Sequence, residues 1–147
     1  MSYNGSKFQL IRLGRNEDLK QDTSLFSEKM KEVILPADWV HDLGVAIEAD
    51  ATFSTQRSQA LIKARRKAGW VMRTFYTRDR KTMITLWKSL IQPHLDYCGQ
   101  LWQPANLTGE IQDLEQVLRS FSRRVQGMRN LSYWERLRDL RLLSIQR

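Results

Sequence analysis

At Ser54 the spacing of apolar residues changes, and the change divides the chain into two kinds of structure. Before it, apolar residues come in short runs broken by turn-formers. "KFQLIRLG" alternates imperfectly at Phe8, Leu10, Ile11 and Leu13 and stops at Gly14. "GRNEDLKQDTS" is polar turn material, and "EVILPADWV" is a β-branched run broken by Pro36. "VHDLGVAIEAD" reads as a strand with Leu43, Val45 and Ile47 on one face, Gly44 allowing close backbone approach on the other. Residues 1–53 are therefore predicted to form short antiparallel β hairpins.

From Ser54 onward the period is helical. A first helix capped by Ser54 or Thr55 carries the stripe Leu61, Ala64, Ala68, Val71/Met72 and Phe75. A second starts at Asp79 and turns Met83, Trp87, Leu90 and Ile91 inward until Pro93 interrupts it. Helix resumes at Pro93, tolerated in a first turn, and stops near Pro104. Another begins after Thr108 with Ile111, Leu114, Val117/Leu118, Phe121, Val125 and Met128, and Gly127 and Asn130 suit its end. "SYWE" is a capping box built on Ser132 and Glu135, opening a helix to about Leu140. "LLSIQR" looks like the first turn of one more helix. The predicted class is α+β, mainly α, with a β segment over 1–53 and a helical bundle over 54–147.

Charge follows the same division. Residues 1–53 hold six Lys/Arg against nine Asp/Glu, residues 54–88 ten against one, and residues 89–147 eight against six. Residues 54–88, the first helix and the start of the second, thus carry more positive charge than the chain's net +8, the rest of the chain being slightly acidic on balance. A solvated helix face is one use of such a segment, and a track along a phosphate backbone is the other. No run of about 18 apolar residues is present, which argues against a membrane span. The start "MSYNGSKFQLIR" lacks the apolar core of a signal peptide. The single cysteine excludes an internal disulfide and a Cys-rich zinc cluster. An intracellular location, cytoplasmic or nuclear, is expected.

The stretch "SLIQPHLDYCGQLWQP" gathers His94, Asp96 and Cys98, three residue types used in metal binding and nucleophilic catalysis. On a helix each residue turns the side chain by about 100°. His94 and Cys98 then lie about 40° apart and Asp96 points roughly to the opposite side, so the trio does not converge. Cys98 falls on an apolar stripe and reads as a small buried hydrophobe. The other histidine, His41, stands alone, and Glu17 beside Asp18 lies in a polar turn without a third ligand. There is no Gly-rich phosphate loop, no nucleophile elbow and no adjacent Asp pair to hold two Mg²⁺ ions. No catalytic or metal residue is assigned. Among the aromatics most belong to the core; Trp70, one position off the stripe between Lys67 and Arg73, is the exception that could stack on a base.

"WVHDLGVAIEADATFSTQ", "KAGWVMRTFYTRD", "LWKSLIQPHLDYCGQLWQP" and "LEQVLRSFSRRVQGMRNLSYWERLRDLRLLSIQR" together resemble the C-terminal part of a non-LTR retrotransposon reverse transcriptase, an RNA-directed DNA polymerase of transposable elements. The resemblance covers nearly the whole chain. It implies that "NGSKFQLIR" is the end of the palm, with Lys7 in the place of a lysine near the incoming nucleotide and Asn4 three residues before it. It implies that Trp39, Val40, Leu43, Gly44 and Val45 belong to the primer-grip hairpin, and that the helices from Ser54 on are the thumb that packs along the template–primer duplex. The full-length family uses Mg²⁺ held by palm aspartates, including a [FY]xDD motif. That motif does not occur here, so no cofactor and no polymerisation are expected of this chain, which reads as a fragment missing fingers and palm and truncated at its C-terminus.

Lys63, Arg65, Arg66, Lys67, Arg73, Arg78 and Lys81 are the residues expected to meet phosphates of RNA or an RNA–DNA duplex. They cannot all share a face: positions 63, 66, 67 and 73 lie nearer one another than 65 does. The competing expectation is a helical protein–protein interaction module whose basic surface serves solubility.

Overall fold

The hairpin turn at Leu43–Gly44, the caps of two helices and a wide turn ahead of Pro93 set most of the architecture. The computed structural model describes residues 9–14, 25–27, 32–102 and 108–145. The chain is α+β and mainly α, and it divides into two units, Met1–Gln56 and Arg57–Arg147.

The first unit contains β1 (Leu10–Ile11), β2 (Leu25–Ser27), β3 (Glu32–Ile34), β4 (Pro36–Ala37), β5 (Trp39–Asp42) and β6 (Val45–Glu48). They pair two by two. β2–β3 and β5–β6 are antiparallel, whereas β1 and β4 run parallel, with Leu10 opposite Pro36 and Ile11 opposite Ala37. Pro36 has no N–H to give a ladder, which fits a pairing only two residues long.

The β5–β6 hairpin corrects the expectation of a strand running through Leu43. Asp42 pairs with Val45, and Leu43 (φ 46°) and Gly44 (φ 83°) form the two-residue turn between them. Positive φ at both central positions is the type I′ pattern, whose twist matches that of the flanking strands. Leu43 therefore leaves the strand face and is 84% exposed, while Val40 and Val45 are buried.

The first turn of α1 (Ser54–Thr74) is capped by Glu48 of β6 rather than by its own first residues. The Glu48 carboxylate accepts from the N–H groups of Ser54 (2.8 Å) and Thr55 (3.1 Å) and from the hydroxyls of Thr52 (2.6 Å), Ser54 (2.9 Å) and Thr55. The first N–H groups of a helix lack partners within it and favour negative charge, so a carboxylate there is stabilising. Burial pushes the Glu48 pKa up, but the hydrogen bonds from Thr52, Thr55 and Ser54 outweigh it and hold the carboxyl at about 2. Gln56, buried, accepts from the Ala46 N–H at 3.0 Å and ties this turn to the hairpin.

In the second unit α1 buries Ala60, Ala64 and Val71 and leaves Lys63, Arg65, Arg66, Lys67 and Arg73 exposed. Asp79 caps α2 (Arg80–Leu86) by accepting from the Thr82 N–H at 3.0 Å, as its sequence position required. The expected break at Pro93 takes the form of a π-helical segment, Trp87–Ile91, leading straight into α3 (Gln92–Asp96). The Gln92 N–H donates to the Trp87 carbonyl, five residues back. This wider turn carries a proline that has no N–H and whose ring crowds the carbonyl four residues earlier. Met83, Trp87, Ile91 and Leu95 are all buried along this run.

α4 (Gly99–Trp102) and α5 (Thr108–Ser122) follow. Leu114, Val117, Leu118 and Phe121 form the buried stripe of α5, and the Phe121 ring lies 5.2 Å from that of Trp87. Val125 and Met128, expected on the same helix, are buried in turns beyond its end. Gly127 takes φ 80° there, and the Gln126 N–H donates to the Arg78 carbonyl at 2.8 Å.

The capping box of α6 (Tyr133–Leu140) is formed in both directions: Glu135 N–H to Ser132 Oγ, and Ser132 N–H to Glu135 Oε2 at 2.8 Å. After α6 the expected further helix does not form. Arg141 is left-handed (φ 51°), and the Leu142 N–H donates back to the Leu137 carbonyl at 2.9 Å, a helix-ending bond that buries Leu142 against the last turn. Glu115, buried on α5, holds the segment that follows: it accepts from the Tyr133 hydroxyl, from Ser144 Oγ (2.8 Å) and from the Ile145 N–H (2.8 Å). Among the described residues no helix is long and apolar enough to cross a membrane.

Candidate nucleic-acid interface

Helical spacing sorts the basic residues of α1 before any tertiary contact does. Positions 63, 66, 67 and 70 recur at three- and four-residue intervals, so their side chains share one face, and position 65 is turned off it. In the structure Lys63, Arg66, Lys67 and Trp70 line one recess of ≈ 330 Å³, and His94 of α3 joins them. The Lys67 ammonium stands 5.5 Å from the Trp70 ring centroid, within the range of cation–π attraction. The Trp70 ring meets Phe75 edge to face, centroids 6.0 Å apart, and remains 44% exposed. The site is thus three cations around an oriented indole, with an imidazole contributed from a distant part of the sequence.

The other candidates are placed apart from this recess. Arg65 faces α5 and pairs with Asp113 at 3.5 Å. Arg78 is taken up by the end of α1: its guanidinium donates to the carbonyls of Met72 (2.8 Å), Phe75 and Thr77 (3.3 Å). A cation there satisfies carbonyls that have no partner within the helix and meets the negative end of the helix dipole. Arg78 thereby closes the end of α1, a role that its reading as a phosphate contact did not include. Arg73 is exposed two turns beyond Arg66, on the same side of α1, and Lys81 is exposed in the first turn of α2.

Of the primer-grip-like residues in the first unit, Trp39 is half exposed and packs edge to face on His41, with centroids 6.4 Å apart. Val40 and Val45 are buried strand residues of the hairpin, and Leu43 and Gly44 form its tip. Lys7, Asn4, Glu17 and Asp18 lie outside the described residues.

His94, Asp96 and Cys98 do not converge. His94 lines the basic recess, whereas Asp96 accepts from Gln92 Nε2 at 2.8 Å and lines a different recess with Leu95, Gly99 and Leu143. Cys98 is not the buried stripe residue expected of it. The helix stops at Asp96, and Cys98 takes a left-handed conformation (φ 52°) in the turn before α4, half-exposed. Trp102, by contrast, is a core residue whose Nε1 donates to the Tyr97 carbonyl at 2.8 Å. Among the described residues no group of three His, Cys, Asp or Glu side chains is placed to hold a metal ion.

Sequence reasoning missed the part played by His94. No pattern in the chain links position 94 to positions 63–70; only the tertiary fold brings them to one recess. Comparison with protein-family models, with curated proteins and with solved structures finds no match to the chain.

Proposed function

We propose that this chain is a nucleic-acid gripping module of the reverse-transcriptase thumb type. In this reading its basic helix holds the phosphate backbone of an RNA–DNA template–primer duplex and leaves polymerisation to a catalytic palm. The observation that carries the reading is the convergence of Lys63, Arg66 and Lys67 on one recess of the second unit. Charge of one sign on one face, with Arg73 continuing it, suits a ligand that is itself a row of like charges. Phosphate contacts of this kind position a duplex without reading its sequence. The order of the motifs "DLGV", "SLIQPHLDYC" and "LSYWERL" supports the polymerase origin, and the β5–β6 hairpin would support the primer strand. No catalytic or cofactor role is assigned to any residue.

The experiment is equilibrium binding of the chain to a short RNA–DNA hybrid over a range of salt. Affinity that falls steeply as salt rises supports the proposal, because displaced counterions are released from the duplex. Affinity indifferent to salt, or absent at low salt, contradicts it.

A further inference from the structure

A duplex backbone accounts for the three cations of the recess but not for Trp70. Paired bases present their faces to one another, and an exposed indole beside a duplex finds only sugar and phosphate. Trp70 is 44% exposed although its neighbour Val71 is fully buried. Its plane is fixed by Phe75 at an interplanar angle of 82° and by the Lys67 ammonium on the ring. An aromatic already held in one orientation loses little freedom when a second ring stacks on it. The recess, at ≈ 330 Å³, lies near the lower limit of small-ligand sites, about 300–1,000 Å³. That is room for a single nucleotide.

We infer that the recess of Lys63, Arg66, Lys67, Trp70 and His94 receives one unpaired nucleotide, its base stacked on Trp70 and its phosphate held by the cations. The inference rests on the nucleic-acid reading above and adds a preference to it: a hybrid with a single-stranded extension is bound better than a blunt one. Base and cation compete for the indole, so Lys67 exchanges its contact with the ring for one with the phosphate. His94, on the wall supplied by α3, is placed to hydrogen-bond the nucleotide. An acidic peptide would satisfy the cations equally well but would leave the indole without a π partner, so the aromatic at the centre favours a base.

The test compares the full chain's affinity for a blunt RNA–DNA hybrid and for the same hybrid carrying a short single-stranded extension, read as the ratio of the two. The extension is expected to tighten binding by roughly 5- to 140-fold, the factor to which about 1–3 kcal/mol of base–aromatic stacking converts. Trp70→Ala should bring the ratio close to one. Trp70→Phe, which keeps an aromatic ring against Phe75, should retain part of it. Oligonucleotide should quench tryptophan fluorescence in the wild type and much less in Trp70→Phe, a readout that does not depend on Trp70→Ala folding. A ratio near one in the wild type overturns the inference, as does a ratio that survives in Trp70→Ala. Quenching of the same size by a poly-glutamate peptide also overturns it. Absence of binding to both hybrids strikes the backbone-gripping proposal itself, whereas equal binding to both strikes only the nucleotide site.

Discussion

Lys67 holds its ammonium 5.5 Å from the centre of the Trp70 ring, on the exposed face of α1 that also carries Lys63 and Arg66. At an exposed site such a contact contributes about 0.5–1 kcal/mol, enough to orient both side chains but weak enough to be exchanged for a ligand. The same helix directs Arg65 toward Asp113, and Arg78 closes its end. One basic segment therefore contains two kinds of cation, those facing outward together and those engaged with the protein.

That division predicts opposite behaviour for two arginines of the same segment. Arg78→Ala removes charge-assisted bonds to the Met72 carbonyl in the last turn of α1 and to the Phe75 and Thr77 carbonyls just beyond it, a kind of bond worth about 1.5–3 kcal/mol, and should lower the thermal midpoint by several degrees. Arg65→Ala breaks only an exposed ion pair, worth about 0.2–1 kcal/mol, and should leave the midpoint nearly unchanged. Thermal denaturation of both variants checks this; equal midpoints would remove the capping role from Arg78.

Glu48 predicts a loss of stability in acid. Its carboxyl pKa is held at about 2 in the folded chain against an ordinary value of 4.5. A depressed folded pKa means that the contribution is fully present above pH 4.5 and fades as the pH falls toward 2. The group is largely solvated, so the effect is modest. Glu48→Gln should lower stability at neutral pH and narrow the difference from wild type as the pH falls through that window. Denaturation across pH 2–7 that gives parallel curves would show that Glu48 does not cap α1.

Tyr133 predicts a loss at the alkaline end. Burial, then the hydrogen bond and charge of Glu115, push its hydroxyl well above the ordinary value of 10.0. A raised folded pKa contributes stability below pH 10 that is lost as the pH rises beyond it. Tyr133→Phe removes one of the donors to a buried carboxylate, costing about 1–3 kcal/mol, and should abolish this alkaline decline. Urea denaturation at pH 7 and pH 11 separates the two effects.

The caps and stripes were the legible part of this fold. Asp79, Ser132 and Glu135 act at the positions their types and spacing indicated, and Met83, Trp87, Leu114, Leu118 and Phe121 are buried as their period required. What escaped the sequence were conformations forced on residues that do not advertise them. Leu43 is an unusual occupant of a type I′ turn, and its alternation with Val45 and Ile47 imitated a continuous strand. Cys98 and Arg141 are left-handed without being glycine, so the early end of α3 and the absence of a further helix after α6 carried no signal. The π turn ahead of Pro93 kept a helix running where proline normally breaks it. For the candidate site, the face of α1 was readable from spacing alone, including the separation of Arg65. Arg78 and His94 depend on tertiary contacts, and no local pattern encodes those.

The central claim is that Lys63, Arg66 and Lys67 neutralise phosphates, and the salt dependence of hybrid binding measures it most directly. Each neutralised phosphate adds about 0.7–0.9 to the slope of log affinity against log salt. With Lys63, Arg66 and Lys67 all replaced by alanine, the slope should become shallower by roughly 2–3 between about 50 and 200 mM salt, with the thermal midpoint little changed. A triple variant that keeps the wild-type slope and affinity would contradict the account.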